Sequence, residues 1–202
     1  NKVYGGMEEV KVLEKDTRYE YADFPNGMSE LQPLDFHSPY GCSKGTGDQY
    51  FRDYARIYNL NTVVFRQSCI YGPRQFGVED QGWLAWFLIA LHTGKKISIY
   101  GDGKQVRDVL FIDDLLDAYQ LAFKNINEVK GQVFNIGGGA KNTISVLYEF
   151  KPILEELLGK EVIPDFGEWR AGDQRIYVSD ITKAKNAFGW EPKFSPKDGI
   201  TN

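Results

Sequence analysis

Only two cysteines and two histidines occur among the 202 residues. Cys42 and Cys69 form no CxxC pair and have too few companions for a zinc site, which removes zinc-ribbon and disulfide-framework classes. Neither lies in a segment that reads as an oxidised loop, so both are expected as reduced thiols of a cytoplasmic protein. His37 and His92 are far apart in sequence, and a His-based metal site or hydrolase triad is poorly supplied. A surplus of positive charge is also lacking: 24 Lys and Arg against 28 Asp and Glu give a net charge of -4. With no basic stripe, nucleic acid is not an expected partner. The longest apolar run, Trp83 to Leu91, is about half of the ~20 residues a bilayer span needs, so no membrane partner is expected either. No charged-then-apolar signal segment opens the chain.

What is present is the balance of an ordinary globular protein, 42% apolar and 26% charged, with room for one large domain or two small ones. Twenty-one glycines and 14% aromatics suit turns and walls that close around a small flat ligand. Asn1-Lys2-Val3-Tyr4-Gly5 reads as the end of a strand meeting a turn with no strand residues before it, so a fragment or processed chain is expected. Residues 6 to 34 are polar and broken by Pro25-Asn26-Gly27 and Pro33, which predicts a long surface loop. Ser38 as N-cap and Pro39 at the first helical position predict a helix running to about Tyr58.

Thr62 to Phe65 is a short β-branched apolar run, the pattern of a buried parallel strand. Tyr71 to Gln75 predicts a turn, Trp83 to His92 a buried helix stopped by Gly94, and Ile97 to Tyr100 and Val106 to Ile112 strands around Gly101-Asp102-Gly103. Asp113-Asp114 are expected to cap a helix through Phe123, followed by a strand at Gln132 to Ile136 and a helix at Ser145 to Leu158. Strand, helix and strand in this rhythm give an α/β fold with a doubly wound parallel sheet.

Tyr40-Gly41-Cys42-Ser43-Lys44 carries the most informative chemistry. Residues four apart share a helix face, so the phenol and ammonium can point into one cleft. Free tyrosine, with a pKa of about 10, is a poor base at neutral pH. A nearby cation favours the phenolate and makes it usable towards an alcohol. Tyr100 and Lys104 have the same spacing but straddle Gly101-Asp102-Gly103 and cannot share a helix. Phe51, Tyr54, Ala55 and Tyr58 recur at helical spacing, which predicts packing rather than ligand stacking. Phe65 to Gln75 follows a strand, where open α/β sheets bind ligands. Gly101 to Asp108 carries Arg107, and Arg170-Ala171-Gly172-Asp173-Gln174-Arg175 carries two more guanidinium groups, suited to bidentate contacts with a diphosphate.

These four segments, in this order, resemble the extended short-chain dehydrogenase/reductase family that modifies nucleotide sugars. Asn1 to Gly5, Ser38 to Gln49, Asp53 to Arg56 and Gln81-Gly82-Trp83 look most like the branch that converts CDP-paratose to CDP-tyvelose at sugar carbon 2. The resemblance implies the C-terminal part of a Rossmann-type domain plus a smaller α+β substrate lobe. Residues 1–72 would then belong to the NAD-binding domain, with a return around 97–125, and 73–202 mainly to the substrate lobe. It implies NAD as cofactor, with Tyr40 as acid and base and Lys44 as the group that favours the phenolate and holds the nicotinamide ribose. Tyr71, Gly72 and Pro73 would lie near the nicotinamide, and Arg107 and Arg175 would grip the diphosphate. Arg170 and Gln75 would be secondary substrate contacts.

A homo-oligomer, dimer or tetramer, through the Tyr40/Lys44 helix is also implied. The family's Gly-rich loop and catalytic Ser or Thr are expected upstream of Asn1. Gly137-Gly138-Gly139 lacks the third spaced glycine and is followed about 20 residues on by Leu157 instead of an acid, so it reads as a turn. A 4,6-dehydratase needs an Asp-Glu pair where Asn1-Lys2 stand, and a UDP-sugar 4-epimerase shares these signatures. A non-catalytic nucleotide-sugar binding module is the reading for a chain that is whole as it stands.

Overall fold

In the computed structural model, which describes residues 1–170 and 172–202, helices and strands alternate in an α/β fold with parallel strand pairs. Ala171, inside the Arg170 to Arg175 segment, lies outside the described residues. Lys2–Tyr4 forms one 3-10 turn instead of a strand end, closed by Tyr4 N–H donating to the Asn1 carbonyl at 3.0 Å. The region expected as loop contains an antiparallel hairpin of β1 (Val12–Glu14) and β2 (Tyr19–Tyr21). Strands of three residues leave no readable alternation. This hairpin is instead strapped on from outside: Tyr19 donates to Asp102 at 2.5 Å, Lys104 to Glu14 at 2.7 Å, and Arg18 to Glu149 at 2.8 Å.

Helix α1 (Ser38–Tyr58) begins and ends where expected. Ser38 counts as the first helical residue, yet its Oγ accepts from the Gly41 N–H at 3.2 Å as a capping oxygen does. Asn59, in the left-handed region at φ 55, ends the helix. There follow β3 (Val64–Gln67), β4 (Cys69–Tyr71), α2 (Trp83–His92), β5 (Ser98–Tyr100), β6 (Val106–Phe111) and α3 (Ile112–Lys124). The rest comprises α4 (Ile126–Val129), β7 (Val133–Ile136), β8 (Thr143–Ser145), α5 (Phe150–Leu158), β9 (Asp165–Gly167), β10 (Ile176–Tyr177), α6 (Thr182–Phe188) and α7 (Pro196–Thr201).

Parallel pairs join β3 to β7, β4 to β6, β10 to β6 and β5 to β9, while β8 runs antiparallel to β6. The two strands flanking Gly101-Asp102-Gly103 therefore take other partners and do not pair with each other. Strands past residue 125 take part as well, β7 beside β3 and β10 beside β6. Two apolar clusters pack the sheet. Phe87, Ile97, Ile99, Phe111, Phe150 and Leu154 fill one, and Leu115, Phe134, Ile136, Phe188 and Trp190 the other. Each such side chain contributes roughly 1.5–3 kcal/mol on burial.

Asp113 and Asp114 stand in the first turn of α3, but Asp114 does not cap it. Its buried carboxylate accepts from the backbone N–H groups of Lys193 and Phe194 at 3.0 and 3.1 Å and fastens the chain after α6.

Ser68 is the point where one extended segment changes partner, from β7 beside β3 to β6 beside β4. Here Asp108 is fully buried. One carboxylate oxygen accepts from the Ser68 hydroxyl, and the other from Gly139 N–H and Ser179 N–H, each at 3.2 Å. Gly137 must lack a side chain, because a Cβ there would run into the Asp108 carboxylate. The triple glycine is thus a turn fitted around a buried acid. Burial raises the Asp108 pKa, and its three donors only partly offset that rise.

The neutral form is accordingly favoured in the folded state, so Asp108 contributes most below the ordinary aspartate range and less as pH rises through its folded value. Urea unfolding of wild type and Asp108→Asn across that range should show the stability gap narrowing as pH rises, by at most about 1.4 kcal/mol per pH unit. A gap that widens with pH would mean the fold prefers the carboxylate.

Candidate functional site

Helix α1 is held to the sheet by a buried ion pair. Arg66 of β3 donates to Asp48 through Nε at 2.7 Å and Nη2 at 3.2 Å, with both side chains almost wholly buried. Arg66 Nη1 also donates to Tyr4 Oη at 3.1 Å, Tyr4 donates to Asn135 Oδ1 at 2.6 Å, and Asn135 Nδ2 donates to the Met28 carbonyl at 2.8 Å. The chain of bonds satisfies each buried polar group in turn, the condition under which a buried ion pair persists. Gly41 and Gly45 let the same side of the helix come close to its surroundings. A Cβ on Gly41 would stand 3.3 Å from the Lys2 carbonyl, and one on Gly45 would enter the Phe36 ring.

With that side fixed, Tyr40 and Lys44 face an open cleft of about 1000 Å³. Tyr40 is 54% exposed, and Lys44 Nζ stands 5.4 Å from the centre of its ring. Gln75, Arg107 and Arg170 line the same cleft, as do Lys2 and Asp173. Arg107 is buried up to its guanidinium, which donates to Asp173 Oδ1 at 2.9 Å, to the Gln174 carbonyl at 2.6 Å and to the Val106 carbonyl at 2.8 Å. Arg170 lies 3.9 Å over the ring of Tyr100 and pairs with Asp80 at 2.9 Å. Gln75 Nε2 donates to the Ile70 carbonyl at 3.1 Å. A phenol beside an ammonium at one place, and guanidinium groups at another, equip a single cleft to move a proton and hold an anion.

Four expected site residues do not line this cleft. Arg175 is not beside Arg107 in the cleft. It borders a smaller hollow of about 430 Å³ with Tyr21 and Glu8, its guanidinium 5.5 Å from the Tyr19 ring and 5.9 Å from the Trp169 ring. Of Arg107, Arg170 and Arg175, the first two line the larger cleft and the third the smaller hollow. Tyr71 is buried among Phe111 and its neighbours, where burial pushes its phenol pKa well up, and it does not line the cleft. Gly72 backs onto Ile112, and neither it nor Pro73 lines the cleft. Of the aromatic stripe of α1, Phe51, Tyr54 and Tyr58 are exposed on the single chain.

Two cleft residues escape the sequence reading. Asp173 is visible in the sequence only as part of an Arg-rich loop, and Lys2 only as one of the two residues standing where a dehydratase has its Asp-Glu pair. Burial and the neighbouring Arg107 charge lower the Lys2 pKa, partly offset by Asp173. The second Tyr/Lys spacing holds no such chemistry, since Tyr100 donates to Glu79 at 2.7 Å and Lys104 to Glu14 at 2.7 Å. Among the described residues no group of three or more His, Cys, Asp or Glu could hold a metal ion, and no helix is long and apolar enough to cross a membrane.

Comparison with known proteins matches residues 7–137 to the NAD dependent epimerase/dehydratase family. The chain is 49% identical over 205 residues to a CDP-paratose 2-epimerase of Salmonella typhi, covering 99% of this chain and 60% of that relative. Among solved structures it is similar to a UDP-glucose 4-epimerase with UDP-glucose from Thermotoga maritima, at TM-score 0.77 and 34% identity, covering 87% of this chain and 55% of that one. It is also similar to a dTDP-glucose 4,6-dehydratase of Bacillus anthracis in complex with NAD, at TM-score 0.75 and 31% identity, covering 98% and 56%. The chain thus spans a little over half the length of the relatives it matches.

Because Arg66 and Asp48 set how α1 presents Tyr40 and Lys44, Arg66→Met leaves a buried unpaired carboxylate and should cost about 3–5 kcal/mol in denaturant unfolding. Asp48→Leu combined with Arg66→Met should lie closer to wild type than Arg66→Met alone. A double variant that is worse than the single would mean that the pair's own attraction outweighs the cost of burying it.

Proposed function

The chain belongs to the NAD dependent epimerase/dehydratase family, and on that premise we propose that it serves the NAD-dependent epimerisation of a nucleotide sugar, CDP-paratose to CDP-tyvelose at sugar carbon 2. The observation that carries this reading is the single cleft joining Tyr40 and Lys44 to Arg107 and Arg170. The 49% identity to a CDP-paratose 2-epimerase supports the choice of base, sugar and carbon.

The open phenol of Tyr40 with an ammonium beside its ring is a donor set that fits the ribose end of NAD. In this reading Lys44 holds that ribose, and the turn Tyr71-Gly72-Pro73 offers backbone, not the Tyr71 ring, towards the nicotinamide. NAD, when bound, supplies a reversible hydride acceptor, so a sugar carbon can be oxidised and then reduced from its other face with no net redox change. Tyr40 takes the hydroxyl proton as the carbinol becomes a ketone and gives it back on re-reduction. Lys44 stabilises the phenolate that stands before the proton is taken and again after it is returned. Arg107 and Arg170 hold the diphosphate, with Gln75 as a further contact. Uniform grip on this non-reacting part of the substrate orients the sugar against Tyr40.

The same reading assigns residues 1–72, with later returns to the sheet, to the cofactor domain and most of 73–202 to the substrate lobe. It places the protein in the cytoplasm, and it makes the exposed aromatic stripe of α1 the contact between copies in a homo-oligomer. The likeness to a UDP-glucose 4-epimerase favours a second reading, the same chemistry at carbon 4 of a UDP-sugar.

Turnover assays on the natural full-length protein with CDP-paratose and with UDP-glucose separate these readings. Conversion of the CDP-sugar alone is the expected result, and conversion of UDP-glucose alone would replace it with the second reading. Tyr40→Phe should then lose at least about a hundredfold in kcat while CDP affinity stays within about twofold. Retained turnover in that variant would remove Tyr40 from its role. Binding of CDP without any turnover by the wild type would leave a nucleotide-sugar binding module.

A further inference from the structure

Among the described residues of the cleft, Lys2 carries a charge that neither the acid–base pair nor the guanidinium pair accounts for. Its backbone is docked on the first turn of α1 beside Tyr40, its carbonyl 3.3 Å from the place of a Cβ on Gly41. Its ammonium extends the other way, to 3.9 Å from Asp173 Oδ1. That same oxygen accepts from Arg107 Nη2 at 2.9 Å. One carboxylate oxygen thus faces two cations, and only Arg107 is within hydrogen-bond reach of it. Lys2 is left with a long ion pair, a side chain 42% exposed, and an ammonium of three donors in the cleft that it lines.

That place in the cleft has a definite meaning if the nucleotide-sugar reading holds, on which this inference rests. A sugar at Tyr40 and a diphosphate at Arg107 and Arg170 put the sugar-bearing β-phosphate between them, and the α-phosphate farther towards the nucleoside. We propose that Lys2 is a substrate-binding residue that donates to the β-phosphate, exchanging its long contact with Asp173 for a charge-assisted hydrogen bond. Burial and Arg107 together make the unliganded ammonium costly, as its lowered pKa reflects. An entering phosphate relieves both at once. The contact distinguishes a nucleoside diphosphate from a monophosphate, because only the former reaches the junction.

Calorimetric titration of the natural full-length protein with CDP and with CMP tests this. Lys2→Met should weaken CDP binding by about tenfold or more and CMP binding by less than about threefold, while Lys2→Arg keeps CDP within about threefold of wild type. Lys2→Gln, which keeps a polar side chain of similar length, serves if the Met variant does not fold, with the same expected split. Equal CDP affinity in wild type and variant would overturn the proposal while leaving the function intact. So would an equal loss for CDP and CMP, which is the mark of a general change of charge or fold. A wild type that takes up no CDP overturns the reading of the cleft and this proposal with it.

Discussion

The buried carboxyl group of Asp108 is the constraint from which the guanidinium end of the cleft takes its position. It accepts hydrogen bonds from residues of three other segments, at Ser68, Gly139 and Ser179. Those segments are the strand that carries β3 into β4, the turn after β7 and the chain after β10. A carboxyl group so deep is tolerated because each oxygen finds donors, two of them backbone N–H groups, and because burial favours its neutral form. Alternation along a strand then does the rest. With residue 108 pointing into this junction, Arg107 on β6 points to the opposite face, where Asp173 and the Gln174 carbonyl receive its guanidinium. The orientation of a cleft cation is thus set by the burial of its neighbour.

The other end of the cleft depends on a buried ion pair. Asp48 lies one helical turn beyond Lys44 and two beyond Tyr40, so its pairing with Arg66 fixes the rotation of α1 about its own axis. Gly41 and Gly45 weaken the helix by about 1 kcal/mol each relative to alanine. Their lack of a side chain is what permits contact with Lys2 and Phe36. Neither anchor touches the other, yet both use the strand of Arg66 and Ser68, two residues apart. A disturbance of that strand would therefore displace acid–base and anion-holding groups together.

Local signals in the sequence carried far. Ser38-Pro39 and the 40/44 spacing located α1 and its two cleft residues, and the β-branched runs located the parallel strands. What stayed hidden depends on contacts between distant positions. The β1–β2 hairpin is held by partners such as Asp102 and Glu149, and nothing within its own residues announces it. Arg170 and Arg175 sit in one loop, and only the three-dimensional course of that loop sends the first to Tyr100 and the second to the rings of Tyr19 and Trp169. Tyr71 has the sequence context of a ligand contact, but packing against Phe111 takes its ring into the core. Lys2 and Asp173 are ordinary residues until the fold places them 3.9 Å apart.

On the proposed function, the charges of the cleft give a way in which a diphosphate would be selected there. On a chain of net charge -4 the cleft is not a bare basic patch. Arg107 is held by Asp173 and Arg170 by Asp80, so each guanidinium already has a carboxylate. A ligand must compete with these partners. A monoanion offers each guanidinium little more than the carboxylate it replaces. A diphosphate brings two phosphoryl groups on one rigid linkage, and the second contact forms without a second loss of translational freedom. The carboxylates keep the guanidinium groups extended towards the cleft before binding, which lowers the ordering cost of that exchange. Selection for a diphosphate over smaller anions then follows from the competition itself, with no need for a large positive potential.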